Sequence, residues 1–422
     1  MAKREQEAVL GILAFEVAKV MSKLVHLWTS LSDKQVDRLR QYISNSVGIK
    51  KLVSDDDDDD DFLLGLIPGE LIENMVPAAK YVAWLGKNYC SNPSLKGFEH
   101  ANSDWINNGV DPYGWELSWE EMEREANRMK EFISSNANLY DEMKLLLDLE
   151  QTLKNTTAQQ DGPTLLDFQN KVELKRQEVK NLKELSLWNM THDYVAIVLA
   201  KSLFTIFSRI KHVFGVPQLK ADAETKYSDH HISPSPSIFS KHKMLDAPPE
   251  TLGAADLALH YANVVIKIEE FVAAPLLCYG IRYKLELYNM LPSSMKDELS
   301  ERLPCIERAT SSLEDLAAEL KEAIAGTLEW LAPLAHNTTR WQSKRSFQKK
   351  ASVSRTHVLL IHTLYFANQR KTEATITELI VGLQYIWKYE RQRHSIPKPK
   401  ALLALEAASL EAKTKPKSVI AR

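Results

Sequence analysis

The stretch from Thr251 to Pro275 separates polar from apolar residues more cleanly than any other part of the chain. Its polar residues recur at steps of three or four, the period of an α-helix, and its apolar residues follow the same rhythm on the opposite side. The polar residues are Asp256, His260, Asn263, Lys267 and Glu270. We therefore predict one amphipathic helix here, capped by Thr251 and ended by Pro275, at the centre of a helical bundle.

Glycine is scarce, with 14 residues in a chain of 422, and this favours long helices over a sheet built from many tight turns. We predict an all-α fold, a multi-helix bundle that includes a long helical hairpin. The formal net charge of -3 excludes a globally basic nucleic-acid binder, so we expect no nucleic-acid partner.

Helical periodicity continues on both sides of the central stretch. The helices predicted before it are Glu7 to Leu31, Ser32 or Asp33 to Gly48, one after Pro77 within Phe62 to Tyr89, Leu117 to Ile133, Leu139 to Leu153, Leu165 to Leu182 and Asp193 to Phe214. The helices predicted after it are Tyr279 to Leu291, one starting at Pro292, one within Pro304 to Leu334 that Pro333 stops, Ser354 to Asn368 and Glu373 to Arg391. We expect Asp193 to Phe214, the most apolar of them, to be buried.

Changes in composition divide the chain into five predicted segments. They are an N-terminal helical domain (1–105), a helical hairpin with the buried helix (106–214), a disordered linker rich in Pro, Ser and His (215–249), a C-terminal helical domain (250–395) and a basic flexible tail (396–422). The seven aspartates from Asp55 to Asp61 repel one another and predict a solvated loop, because they lack the alternating ligands and glycine turn of a calcium site.

The sequence contains no strong pattern for a metal site or a membrane segment. The linker histidines lack ligand spacing, and the three cysteines form no CxxC pair, so we expect no metal, no cofactor and a reducing, intracellular setting. Charged residues interrupt the apolar N-terminus, which excludes a signal peptide. The run from Tyr194 to Phe207 is short and contains Lys201, so we predict no transmembrane segment. Ala2 offers no glycine for N-myristoylation.

Several long blocks resemble a plant family, the PSK SIMULATOR (phytosulfokine simulator) proteins, which pair two plant domains of unknown function. The blocks are Gly11 to Asp33, Thr251 to Phe271, Leu287 to Leu303, Leu328 to Ser343 and Leu364 to Arg391, roughly half of the chain. The resemblance implies a role in promoting plant growth linked to peptide-hormone signalling, at the nucleus or the plasma membrane. It implies no catalytic residues. Some relatives look myristoylated at a second-position glycine, and Ala2 departs from that pattern.

Signatures of enzymes are absent from the sequence: it contains no GxGxxG, GxxxxGK[ST], HExxH or GxSxG motif. Asp256 and His260 stand four residues apart on the predicted central helix, a spacing that acid–base or metal chemistry could use. A solvated stripe or an intrahelical pair is the more ordinary interpretation. We predict that the protein is not an enzyme.

A basic segment interleaved with aromatic residues is the strongest candidate binding site. It runs from Arg340 to Arg355 without any acidic residue. The candidate anion-binding or partner-binding residues are Arg340, Trp341, Lys344, Arg345, Lys349 and Lys350. The segment predicts an exposed loop between helices. Within it, Ser346, Ser352 and Ser354 are candidate phosphorylation sites, where a phosphate would cancel positive charge.

Two functions remain open from the sequence. The first is a noncatalytic helical adaptor in growth signalling that binds other signalling proteins. The second is a peripheral membrane protein that binds anionic lipids through the basic segment and the tail. In both interpretations no small-molecule substrate is expected.

Overall fold

The protein is seen in a computed structural model, and its described part is helical. The structure describes residues 9–53, 60–157, 163–215, 247–273, 281–308, 313–347 and 358–393. In these ranges helices are joined by turns and two isolated β-bridges, and no strand occurs. The predicted all-α fold is confirmed.

The α-helices are numbered in chain order. They are α1 (Ala14–Ser30), α2 (Asp33–Asn45), α3 (Val47–Val53), α4 (Asp60–Gly65), α5 (Ile67–Tyr89), α6 (Pro93–Lys96), α7 (Phe98–Asn108), α8 (Trp119–Thr157), α9 (Pro163–Leu185), α10 (His192–Phe214), α11 (Ala258–Ala273), α12 (Ile281–Met290), α13 (Ser293–Arg308), α14 (Leu313–Phe347) and α15 (Gln369–Arg393). Short 3-10 helices lie at Gly11–Leu13, Leu187–Asn189 and Leu360–His362.

The chain forms two compact units, and each unit combines two separate stretches of the sequence. Unit 1 consists of Met1–Arg40 and Pro68–Leu245, and unit 2 of Gln41–Ile67 and Asp246–Arg422. Residues from the N-terminal part of the chain therefore belong to both units. The five segments predicted from composition stay a prediction.

Unit 1 is built around α10, the helix predicted to be buried. Leu199 and Phe204 are fully buried, and the Phe204 ring stacks on Trp105 at 5.5 Å and meets the edge of Trp115 at 5.2 Å. Aromatic pairs of this kind add to the burial of apolar area. Thr191 caps the start of α10 by accepting from the backbone N–H of Tyr194.

The predicted long helical hairpin is present as α8 and α9. The two helices predicted over Leu117 to Leu153 form one continuous helix, α8. Val172 and Val179 of α9 are buried, while Lys175 binds Glu142 at 2.7 Å and Arg176 binds Glu150 at 2.9 Å across the hairpin. Exposed ion pairs contribute little, so the buried aliphatic seam is the main stabilising contact.

One described helical stretch, Phe62–Tyr89, is long and apolar enough to cross a membrane, with a mean hydropathy of 1.2. Half of its apolar window is buried inside the protein. Val82 and Leu85 are fully buried, as in the core helix of a globular protein. Such a stretch is weak evidence for a membrane span, and the predicted lack of a transmembrane segment stays a prediction.

Unit 2 is organised by α11, which packs on α14, and by α15, which packs on α13 and α14. Val264, Val265 and Ile268 of α11 are fully buried. The Arg302 guanidinium on α13 holds both oxygens of Glu378 on α15, at 2.6 and 2.9 Å. This ion pair lowers the pKa of the Glu378 carboxyl.

The central helix was predicted to start too early. It begins at Ala258, and residues 251–257 form turns in which Asp256 adopts a left-handed φ of 55°. Leu252 and Gly253 donate backbone hydrogen bonds to Ala367 and Tyr365 at 2.8 and 2.7 Å. These long-range bonds give the backbone N–H groups the partners that a helix would otherwise supply. Sequence periodicity cannot detect such bonds.

The prediction that Pro333 ends its helix was wrong. Pro333 lies inside α14, where Leu331, Leu334 and Ala335 are buried on both sides of it. The packing of these flanking turns offsets the hydrogen bond that proline removes. A second proline inside a helix is Pro304 of α13.

The helix predicted over Ser354 to Asn368 was also wrong in its described part. Residues 358–368 contain only the 3-10 helix and turns. Several other predictions lie outside the described residues: nearly all of the predicted linker with its histidines, the tail, and Asp55 to Asp59.

Helix α3 completes unit 2, although more than 200 residues separate it from α11 in the sequence. Gly48 lies so close to α14 that an added Cβ would stand 2.9 Å from the Trp330 ring and 3.0 Å from the Trp330 carbonyl oxygen. Asn368 donates to the Leu52 carbonyl at 2.7 Å, and the Lys51 ammonium lies 5.5 Å from the Trp330 ring. The N-terminal segment is therefore an integral part of this unit.

Gly48→Ala tests this close contact. The new methyl group must displace the Trp330 ring and backbone, and we expect a loss of about 1 to 3 kcal/mol in the free energy of unfolding of unit 2. Gly326→Ala on α14 is the matched control, because nothing lies within 4 Å of its added Cβ. The control should gain about 0.5 to 1 kcal/mol through helix propensity. Urea unfolding of both variants checks the pair, and equal behaviour would contradict the contact.

Candidate interaction surface

The predicted basic segment starts on the last turns of α14. Arg340 and Trp341 are described there, and Lys344, Arg345 and Ser346 occupy positions in the last two turns of the helix, which ends at Phe347. The first half of the segment is therefore helical, not the loop that was predicted. Lys349, Lys350, Ser352 and Ser354 lie outside the described residues. We call the surface around Arg340 and Trp341 the α14 end.

Two hydrogen bonds fix the α14 end to the segment at 358–368. The buried Thr338 hydroxyl accepts from the backbone N–H of Leu364 at 3.0 Å and donates to the Leu334 carbonyl at 2.7 Å. The Asn337 amide donates to the His362 carbonyl at 3.2 Å. These bonds hold the backbone that carries Arg340 and Trp341 in one position.

Aromatic rings extend the α14 end across the neighbouring segment. The half-buried Trp341 ring lies 6.4 Å from the Tyr365 ring, which meets the edge of Phe366 at 5.0 Å. Gly253 makes this arrangement possible, because its added Cβ would stand 2.6 Å from the Tyr365 carbonyl oxygen. The early glycine of the central stretch therefore positions an aromatic surface.

Among the basic residues of the predicted segment, Arg340 is the one whose side chain lies in the described part of the structure. Its side chain is exposed, and one guanidinium nitrogen is 3.5 Å from the Asn337 amide oxygen, which is at the limit of a hydrogen bond. Cations are favoured near the C-terminal end of a helix by its dipole. An exposed guanidinium beside a tryptophan can bind an anionic group and pack against an apolar one.

His362 lies under this surface and has a structural role. Its ring nitrogen accepts from the Leu359 backbone N–H at 3.3 Å, and the ring meets the edge of Tyr42 at 4.6 Å. Burial lowers its pKa to about 4, so the imidazole is neutral at physiological pH. His357, considered with it in the sequence, lies outside the described residues.

The Asp256–His260 pairing considered from the sequence does not form. Asp256 precedes α11, and the His260 Nε2 atom is 2.7 Å from the Met290 carbonyl oxygen. His260 therefore links α11 to the end of α12. In the part of the chain that the structure describes, no group of three or more His, Cys, Asp or Glu residues could hold a metal ion.

A polar cluster around the buried Tyr261 of unit 2 was missed by sequence reasoning. The Tyr261 hydroxyl donates to Glu373 at 2.5 Å, and the same carboxylate accepts from Gln369 at 2.8 Å and from Ser294 at 3.3 Å. Burial and the Glu373 charge raise the Tyr261 pKa well above its ordinary value. Tyr261 lies on the apolar face of its helix and its partner Glu373 is 112 residues away, so no local signal could reveal the cluster.

Two family models match parts of this chain. Residues 12–71 match a domain of unknown function, DUF3475, and residues 251–340 match a protein family of unknown function, DUF668. The second match ends at Arg340, inside α14. The first match includes α3 and so contributes residues to both units.

Three curated proteins of Arabidopsis thaliana are similar along most of the chain. Protein PSK SIMULATOR 1 is 27% identical over 89% of this chain, Protein PSK SIMULATOR 3 is 28% identical over 89%, and Protein PSK SIMULATOR 2 is 26% identical over 90%. The matched regions span 56%, 56% and 60% of those relatives. No solved structure matches the chain.

Tyr261→Phe tests this cluster. It removes a hydrogen bond from a buried hydroxyl to the half-buried Glu373 carboxylate, and we expect a loss of about 1 to 2 kcal/mol in the free energy of unfolding near neutral pH. Because the folded pKa of Tyr261 is raised, its stabilising contribution is complete below its ordinary pKa of 10.0 and decreases as the pH rises above that value.

The difference between the parent chain and Tyr261→Phe should therefore shrink above pH 10.0. Urea unfolding across this range measures it. Tyr288→Phe is a matched control on the same unit, since the half-buried Tyr288 ring lies 5.5 Å from the Lys296 ammonium. A difference that stays constant with pH would contradict the raised pKa.

Proposed function

We propose that this chain, which is similar to three PSK SIMULATOR proteins, is a noncatalytic helical adaptor or regulator that promotes plant growth. We link it to phytosulfokine-type peptide-hormone signalling. The observation that carries the proposal is the similarity to three such proteins along 89% to 90% of the chain. The chain spans little more than half of their length, so the role concerns the shared region.

The polar clusters of unit 2 support a noncatalytic role because they connect structural elements. Glu373 joins α15 to Tyr261 on α11 and to Ser294 on α13, and Arg302 binds Glu378. The half-buried His362 has its pKa lowered to about 4 by burial, so it is neutral at physiological pH. Each of these groups holds neighbouring segments of unit 2 together.

We propose the α14 end as the partner-binding surface, with Arg340 and Trp341 as its fixed part. Thr338 and Asn337 anchor their backbone, so binding a partner would cost little conformational entropy at these two residues. The remaining proposed members are Lys344, Arg345, Lys349 and Lys350. Five cations with a tryptophan favour an acidic segment of another signalling protein. The proposed locations are the nucleus and the periphery of the plasma membrane.

A second candidate function is binding to anionic lipids. The presence of a tryptophan among cations at one helix end favours it, because both residue types are enriched where proteins meet membranes. The tail from residue 396 would supply further positive charge. In this alternative the protein attaches to the membrane surface without spanning it.

Growth rescue in Arabidopsis thaliana lacking all three relatives tests the function. We expect the parent chain to restore the root-growth response to added phytosulfokine. A variant with glutamine at all five cations (Arg340, Lys344, Arg345, Lys349 and Lys350) should restore less than half of it, because the attraction to acidic partners is lost.

The matched control replaces five exposed lysines of unit 1 by glutamine: Lys23, Lys34, Lys130, Lys144 and Lys154. It should behave like the parent chain. Equal rescue by the α14-end variant and the parent would exclude this surface. Failure of the parent chain to rescue would count against the proposed role itself.

Flotation with vesicles separates the two candidates. If lipid binding is the function, the parent chain should float with phosphatidylcholine vesicles that contain phosphatidylserine and not with phosphatidylcholine alone. Added salt should weaken the binding, because exposed charges are screened. The five-cation variant should stay unbound, and binding that is independent of both salt and these cations would refute the electrostatic mechanism.

Phosphorylation of Ser346, Ser352 and Ser354 is proposed as the regulation of this surface. Replacing all three by aspartate adds negative charge among the cations and should weaken binding to the partner or to anionic vesicles several-fold. Alanine at the same positions is the matched control. Unchanged binding by the aspartate variant would remove support for this regulation.

A further inference from the structure

The outer face of α9 is more apolar than its position on the surface explains. Leu166, Leu174 and Leu185 have exposed fractions of 61%, 74% and 76%. Isolated exposed leucines are common, but these three lie on one helix that is otherwise dense in charge. Val172 and Val179, the buried residues of α9, face the opposite side toward α8.

The three leucines belong to a longer uncharged stripe. The stripe consists of Leu166, Asn170, Leu174, Gln177, Asn181 and Leu185, all exposed. Its steps of four, four, three, four and four keep these positions on one face over roughly 28 Å of helix. The Gln177 amide donates to Asn181 at 3.0 Å along the stripe. A continuous uncharged stripe on a charged helix is the pattern of a helix–helix contact.

We propose that the α9 stripe is the contact surface for the α9 helix of a second copy of this chain, paired antiparallel about a two-fold axis between Lys175 and Arg176. In this register Leu166 lies opposite Leu185 of the second copy, Asn170 opposite Asn181, and Leu174 opposite Gln177. Apolar residues meet at both ends, and the amides of the asparagines meet each other. A two-fold contact uses the same surface on both copies, as an isologous dimer requires.

Charge complementarity favours a second copy over an unrelated helix. In an antiparallel pair, residues on the same flank of the stripe face each other across the interface. On one flank Lys171 then faces Glu178 of the second copy, and on the other Glu173 faces Lys180. The two-fold axis repeats each pair, so four pairs of opposite charge flank the stripe.

The flanking carboxylates can exchange their partners. Glu173 and Glu178 bind cations three residues away on their own helix, at 3.2 and 2.7 Å, and their side chains are 72% and 53% exposed. Such exposed pairs are weak and easily exchanged for pairs across an interface. The leucines therefore supply most of the attraction, while the charges and asparagines set direction and register.

Sedimentation velocity of the full chain at increasing concentration tests the dimer. We expect a concentration-dependent monomer–dimer equilibrium, because one helix pair gives a small interface. Leu174→Glu should weaken dimerisation at least tenfold, whereas Leu147→Glu on α8, where the leucine is 65% exposed, is the matched control and should not. Since both positions are exposed, neither variant should unfold the chain, and circular dichroism checks this.

A charge exchange distinguishes self-pairing from other causes. Lys171→Glu or Glu178→Lys alone should weaken the dimer several-fold, because each places like charges opposite one another. The double variant with both changes restores opposite charges and should recover the parent affinity. Failure of the double variant to recover the affinity would overturn the proposed register.

Cysteine cross-linking tests the direction, in a chain with Cys278→Ser and Cys305→Ser. Asn170→Cys and Asn181→Cys copies should cross-link when mixed under oxidation, and neither should cross-link alone, since identical positions would be about 16 Å apart. Cross-linking of each variant with itself would indicate parallel pairing and overturn the antiparallel arrangement. A parent chain that is monomeric at all concentrations, or a dimer unaffected by Leu174→Glu, would overturn the proposal as a whole.

Discussion

The packing of α3 against Trp330 is the contact on which the architecture of unit 2 depends. A glycine at position 48 allows the two helix backbones to approach, and the bond from Asn368 to Leu52 ties the same segment to the start of α15. A chain segment near the N-terminus thus closes a core otherwise built from residues beyond 246. The two family models therefore mark regions of sequence similarity, and their boundaries do not coincide with the folding units.

Periodicity predicted the helices well wherever a helix buries one face continuously. Val264, Val265 and Ile268 repeat at helical spacing, and α11 follows from them. The wrongly predicted start of α11 and the wrongly predicted end of α14 at Pro333 have a common origin. Asp256 leaves the helix because Leu252 and Gly253 bond to residues more than 100 positions later, and Pro333 stays inside a helix because its neighbours are buried. Tertiary contacts of this kind have no local pattern in the sequence.

The sequence predicted which residues form the candidate surface, but it did not predict how the fold holds them in place. The basic and aromatic residues could be identified from the sequence, whereas their anchoring could not, because it comes from Thr338 binding Leu364 and from Trp341 approaching Tyr365. Gly253 links these observations: the small residue that suggested close packing accommodates the Tyr365 backbone. The same turn that shortens the central helix therefore supports the aromatic part of the α14 end.

The two proposed surfaces rely on different physical effects. At the α14 end charge dominates, and fixed backbone positions reduce the ordering that a partner must impose. On α9 the two lysines and two glutamates that flank the stripe balance, so the stripe can bury its leucines without leaving a net charge at the interface. Leu174 is exposed, while Val172, two residues away, is buried in the hairpin. Helix α9 can therefore pack on α8 through one face and bind another helix through the opposite face. Pairing through that face would join two copies without altering the core of unit 1.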